Sequence, residues 1–323
     1  MASSSLTVSL LLALICVCGC EGSGLRYHFY KKSCPSAEAT VKHVVKKYIA
    51  KDRTLAAPLL RMNFHDCFVR GCDGSVLLNS TANNRAEKEA VPNQSLRGFE
   101  LIDAAKAKIE KKCPGVVSCA DILALVTRDA VFAGTGGPFW RVRTGRRDGL
   151  ISRENELSTN IPPPFSNFSV LQTSFARKGL NIKDLVVLSG AHSIGRGRCP
   201  GFSERLYNFT GKGDMDPSLD PTYAQFLKSQ CTSLADTTTS VAVDPTNSLT
   251  FDSDYFSNLK AKRGLFQTDA ALLTNPVAKK LVDNQVNRKR FFDNFKRSMQ
   301  KFSEVEVLTG TAGQIRRHCA ILN

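Results

Sequence analysis

Eight cysteines downstream of a short apolar leader constrain this chain more than any other feature. Leu6 to Cys20 (LTVSLLLALICVCGC) is apolar, too short for a membrane span, and runs into small residues. It reads as a secretory signal over residues 1–22, cut between Cys20 and Leu25, ahead of one domain at 23–323. Cys16, Cys18 and Cys20 fall inside it. Cys34, Cys67, Cys72, Cys113, Cys119, Cys199, Cys231 and Cys319 remain. An even number of cysteines after an export signal implies disulfides, and the lack of any Cys-x-x-Cys pair argues against zinc. Eight cysteines allow about 105 pairings, among which spacing does not choose. No second long apolar run follows, so no membrane association is expected after signal removal.

The 323 residues provide ample material for a core, and 42% hydrophobic with 23% charged residues is ordinary for a globular protein. The net charge is +15. Export argues against nucleic acid as the partner. The excess is spread over stretches such as KHVVKKY and NRKRFFDNFKR, as on a solvated cationic surface. A sharper reading is attraction to acidic polymers outside the cell, such as wall polysaccharide.

Helical periodicity dominates. Ser36 to Ile49 places Ala37, Val41, Val44 and Tyr48 on one stripe behind a capping serine. Leu55–Phe64, Leu101–Lys111, Ala120–Ala133, Asn167–Lys178, Asp184–Leu188 and a last stretch at Pro276–Phe302 also read as helical. Strand signals are few, so the fold class is mainly α. Asn79, Asn167, Asn208 and Asn93 each begin a glycosylation sequon.

Four constellations carry chemistry. In Arg61-Met-Asn-Phe-His65, the Arg and His are four apart and share a helix face. Such a pair can move a proton and stabilise developing negative charge, but spacing alone favours a surface Arg beside a structural His. Asp66 to Ser75 packs two carboxylates, a hydroxyl and Gly-associated carbonyls into ten residues. Calcium accepts such oxygen donors, although a plain polar turn fits the spacing equally well. His192 ends an apolar helical run before glycines, as an axial metal ligand or an ordinary helix-end histidine would. Asp244, Asn247 and Asp252, with Ser193, offer a second oxygen cluster. Asp269 is a candidate partner for the His192 ring.

Together the segments RMNFHDCFVRGCDGS and DLVVLSGAHSIG, supported by VSCADILALVTRDAV, GRRDG and GLFQTDAAL, closely resemble the secretory plant haem peroxidases (class III). The resemblance runs from about Leu25 to Asn323. It implies a helical fold with haem b between distal and proximal halves. His192 would hold the iron and bond Asp269, which makes the imidazole more anionic. His65 would move the peroxide proton, Arg61 would stabilise the separating charge, Asn93 would orient His65, and Phe64 would wall the pocket. Pro162 stands where the family meets aromatic donors. The resemblance implies bridges Cys34–Cys113, Cys67–Cys72, Cys119–Cys319 and Cys199–Cys231. Distal calcium would use Asp66, Val69, Gly71, Asp73 and Ser75, with Glu87 linked through water. Proximal calcium would use Ser193, Asp244, Asn247, Thr250 and Asp252. Asp121 and Arg146 match a buried ion pair.

Three departures stand out. Asn247 replaces a usual Thr, Ser248 a usual Pro, and Val243 an aromatic often found beneath the iron-binding histidine. The expected activity is reduction of hydrogen peroxide with one-electron oxidation of small aromatic donors, by a monomer in the cell wall or apoplast. The chain ends four residues after Cys319, without the extension linked to vacuolar sorting. The alternative is a wall-associated cationic glycoprotein with altered catalysis.

Overall fold

The computed structural model describes residues 24–323; the leader, and with it the expected signal, lies outside them. The described residues form thirteen α-helices: α1 (Ala37–Lys51), α2 (Ala56–Val69), α3 (Phe99–Glu110), α4 (Cys119–Thr135), α5 (Leu157–Asn160), α6 (Phe168–Arg177), α7 (Ile182–Ser189), α8 (Glu204–Tyr207), α9 (Pro221–Gln230), α10 (Asp254–Lys260), α11 (Gln267–Ala271), α12 (Pro276–Gln285) and α13 (Arg288–Phe302). One small antiparallel sheet pairs β1 (Arg196–Arg198) with β2 (Ser240–Ala242), Gly197 opposite Val241. None of the described helices is long and apolar enough to cross a membrane.

The centre is α4. Ile122, Leu123, Leu125, Val126, Ala130 and Val131 are all fully buried, and Asp121, Arg128 and Asp129 are buried with them, so other elements wrap this helix on every side. Helices α1, α2 and α3 pack around it. Ser118 caps its start by accepting the Asp121 N–H. Pro58 is the third residue of α2, where its missing N–H leaves no helical bond unmade. So α2 passes through the proline and reaches Val69 with Arg61 and His65 on one face. A smaller apolar cluster gathers Phe202, Leu206, Tyr223, Leu227, Val241 and Val243 beside the Cys199–Cys231 bridge.

The stretch expected as one helix at Pro276–Phe302 is two. Asn287 breaks it, with extended backbone and a side chain that accepts the Arg290 N–H and so starts α13 afresh. The segment ahead of His192 is pinned to α13. Asp184 closes a capping box with Asn181, and also accepts from Ser298 at 2.9 Å and Lys301 at 2.5 Å. Gly190 is required there, since a Cβ would sit 2.6 Å from the Phe291 ring.

Four disulfides join Cys34 to Cys113, Cys67 to Cys72, Cys119 to Cys319 and Cys199 to Cys231, the pairing the resemblance implies. The third spans 200 residues and ties the C-terminal tail to the start of α4. Closing so long a loop removes much entropy from the unfolded chain. The double variant Cys119→Ala/Cys319→Ala is therefore expected to lose about 2–5 kcal/mol, read from its urea midpoint.

Candidate active site

The short turn Asn93–Ser95, entered through Pro92, fixes the first pair. His65 is 2% exposed, and its Nδ1 bonds the Asn93 Oδ1. Which end of Asn93 faces the ring follows from its other contact, because Asn93 Nδ2 donates to the Glu87 carbonyl at 2.8 Å. The amide oxygen therefore accepts from His65, the proton sits on Nδ1, and Nε2 carries the lone pair. Burial, then the Arg61 charge, hold the His65 pKa well below the usual 6.5, against the pull of Asn93.

Arg61 reaches the same turn. Its guanidinium donates to Ser95 Oγ at 2.9 Å and to the Pro92 carbonyl at 2.9 Å. Burial and the neighbouring Arg198 bring its pKa down to about 10, so it stays charged at neutral pH. Phe64 packs on Phe68, ring centroids 4.4 Å apart, and meets His65 edge-on at 5.7 Å.

His192 lies in a 3-10 turn, Gly190–Ser193, directly after α7. Its Nδ1 bonds Asp269 Oδ1 at 2.7 Å; Asp269 is 1% exposed, whereas the His192 side chain is 39% exposed. The Asp269 carboxylate also accepts the Tyr255 hydroxyl at 2.9 Å and the Phe266 N–H at 2.9 Å. Burial works to raise the Asp269 pKa, but His192 and these donors overcome it and hold the carboxyl below its usual value. Phe266 and Tyr255 flank the His192 ring at 5.3 and 6.0 Å, while Val243 belongs to the smaller apolar cluster. The chain after His192 returns to α2: a Cβ on Gly195 would lie 2.8 Å from that of Ala57.

Beside His65, Asp66, Asp73 and Glu87 are all buried. Asp66 accepts the Gly74 and Val76 N–H groups, and Asp73 accepts that of Ser75. Burial, then the Asp73 and Glu87 charges, raise Asp66; burial carries Asp73 to about 6 and Glu87 to about 8. Ser75 Oγ and Glu87 Oε2 are buried without a hydrogen-bond partner. The Gly71 carbonyl takes the Asp73 N–H and the Val69 carbonyl takes Lys178 Nζ, each leaving a second lone pair. Gly71 has φ +82, and any side chain there would run into the Glu306 carbonyl. This donor set fits a hard divalent cation.

Next to His192 in the chain, Ser193 Oγ is likewise buried and unpartnered, as is Asp244 Oδ2. Thr246 N–H and Asn258 Nδ2 hold the other Asp244 oxygen. Asp252 accepts the Asp254 N–H. Asn247 is exposed; its oxygen takes the Leu249 N–H and its amide donates to Thr250 Oγ1 at 3.0 Å.

Pro162 is half-buried in a surface groove of about 270 Å³, with Ser158, Ile161, Ser169, Val170 and Arg177. Asn93 is buried, Asn79 and Asn167 are exposed, and Asn208 is half-buried. Pro92, Ser95, Ser152, Tyr255 and Asn258 hold site residues and were not singled out in the sequence; only the fold brings them there. Ser152 takes the Glu87 N–H at 3.0 Å and donates to Glu87 Oε1 at 3.3 Å.

The helical, disulfide-stapled fold, with one histidine held by an amide and another by a carboxylate, agrees with what comparison with known proteins gives, a haem-dependent peroxidase. The family model described as "Peroxidase" matches residues 41–288. Peroxidase 56 of Arabidopsis thaliana is 54% identical over 302 residues, 93% of this chain and 91% of that protein. Peroxidase 27 of the same plant is 53% identical over 324 residues, 100% and 99% of the two chains. Peroxidase 1 of Oryza sativa subsp. japonica is 50% identical over the full length of both. The chain belongs to the peroxidase family, among the class III plant peroxidases.

Proposed function

We propose that the peroxidase reaction is carried by Arg61, His65 and Asn93 on one side and by His192 with Asp269 on the other. The observation that carries this reading is the contrast between the two histidines. Each has Nδ1 tied down, so each presents Nε2. His65 is tied to a neutral amide and stays a modest base, suited to exchanging protons. His192 is tied to a buried carboxylate, which makes its ring the stronger donor, suited to an axial ligand. Haem b, held by His192, would supply the iron and macrocycle that accept two oxidising equivalents from peroxide and pass them to donors one electron at a time.

The protein's own part is proton transfer and charge placement. His65 Nε2 takes the proton from the attacking peroxide oxygen and returns it to the departing one, which leaves as water. Arg61 stabilises the negative charge on the departing oxygen, and Phe64 limits access. Small phenolic donors meet the protein near Pro162. An absorbance spectrum before and after peroxide tests this reading; folding with haem but without a Soret band would sink it.

Calcium is proposed at Asp66, Val69, Gly71, Asp73 and Ser75, with Glu87 joined through water. A second ion is proposed at Ser193, Asp244, Asn247, Thr250 and Asp252. The unpartnered Ser75, Glu87, Ser193 and Asp244 atoms support both. The Glu87 carbonyl also holds Asn93, so the first site buttresses His65. Chelation is expected to lower the thermal midpoint and slow peroxide cleavage. At a hundredfold excess over its Kd, one ion contributes about 2.7 kcal/mol of stability. An unchanged midpoint in calorimetry with and without chelator would contradict these sites.

The protein is proposed to act as an exported monomer, glycosylated at exposed sequons, in the cell wall or apoplast. Its +15 charge supports attraction to acidic wall polysaccharide. Retention on pectate that ignores salt would count against that attraction.

A further inference from the structure

The Asp269 carboxylate serves two donors through one oxygen. Oδ1 accepts the His192 Nδ1–H at 2.7 Å and the Tyr255 hydroxyl at 2.9 Å, while Oδ2 takes the Phe266 N–H. Tyr255 is 3% exposed; its hydroxyl donates to Asp269, and the Ser189 side chain lies beside it. Its ring is held by Phe256, centroids 5.0 Å apart at 76°, and stands edge-on to His192. An O–H donor that shares an acceptor with an imidazole N–H competes with it. The phenol withdraws electron density from Oδ1, so Oδ1 pulls less strongly on the His192 proton.

We infer that Tyr255 is a positioning residue that sets the donor strength of His192 by moderating Asp269. The inference rests on the proposed roles of His192 and Asp269. It assigns the phenol a sign: Tyr255 keeps the imidazole less anionic than Asp269 alone would make it. The buried setting makes this matter, because no bulk water screens the shared oxygen.

The test uses the haem-loaded enzyme with Tyr255→Phe, which keeps the ring and deletes the hydroxyl. The iron–histidine stretching frequency of the ferrous protein is expected to rise, and the ferric/ferrous midpoint potential to fall. A second variant places 3-fluorotyrosine at position 255. This phenol is of nearly the same size but is a stronger donor, so both readouts should move the opposite way. A residue that merely fills space would not produce shifts of opposite sign. Unchanged values in Tyr255→Phe, or shifts of the same sign in both variants, would overturn the inference. Lack of an iron–histidine band in the parent enzyme would instead overturn the assignment of His192, and the inference with it.

Discussion

Replacing His65 with alanine is expected to slow peroxide cleavage by about 10²–10⁴-fold while haem stays bound. The rate falls because no other base is placed to do the work: Arg61 is charged and Asn93 is neutral. Haem retention follows because His192 and Asp269 belong to other segments, and α7 is anchored to α13 through Asp184. The parent enzyme's pH profile carries a linked expectation. Burial and the Arg61 charge hold His65 deprotonated until the pH is well below 6.5. Cleavage should therefore be flat through neutrality and fail only on the acid side, where the imidazolium can no longer accept a proton. Arg61→Leu removes one of the two influences that lower the pKa, so its acid limb should move to higher pH. Stopped-flow mixing with peroxide measures both effects. Near-normal cleavage in His65→Ala would remove His65 from the mechanism.

The same residues show what the sequence can and cannot convey. The apolar repeat of α1 and the apolar run Ile122–Val126 of α4 point to burial, and the structure buries Val41, Val44 and Ile122. The break at Asn287 is written as an N-cap, but it lies inside a pattern that stays amphipathic on both sides, so periodicity runs through it. Short helices such as α10 and α11 depend on tertiary packing rather than on their own repeat. His65 and His192 look ordinary by spacing. They become distinctive only when every motif of the chain is taken together. Tyr255 and Ser95 could not be found this way. Their roles are distances between separate segments, and a linear pattern holds no information about which hydroxyl meets which carboxylate. The cysteines mark the same limit: about 105 pairings are open to spacing, while the resemblance and the fold arrive at the same four.

The largest single loss of stability is expected from Asp121→Ala. This carboxylate is fully buried and accepts from the Tyr30 hydroxyl at 2.7 Å, the Gly145 N–H at 2.6 Å and Arg146 Nη1 at 2.7 Å. Burial and the Asp121 charge both keep the Tyr30 phenol protonated, and so a donor. Arg146 is fully buried too, and its remaining partners are the Arg143 and Ser303 carbonyls. Deleting the carboxylate leaves a positive charge in the interior with no counter-charge in contact. Breaking such a pair from one side costs about 3–5 kcal/mol. The orphaned Tyr30 hydroxyl adds to the penalty without being additive with it. Against a total stability of about 5–15 kcal/mol, that is a large share. Removing both charges should cost less than removing one, because no uncompensated charge is then left in the interior. Denaturant titration of Asp121→Ala beside Asp121→Ala/Arg146→Met separates the two effects. The double variant should be the more stable of the two. A single variant within about 1 kcal/mol of the parent would mean that the pair is not what anchors the start of α4, and with it the packing against α2 that holds Arg61 and His65 in place.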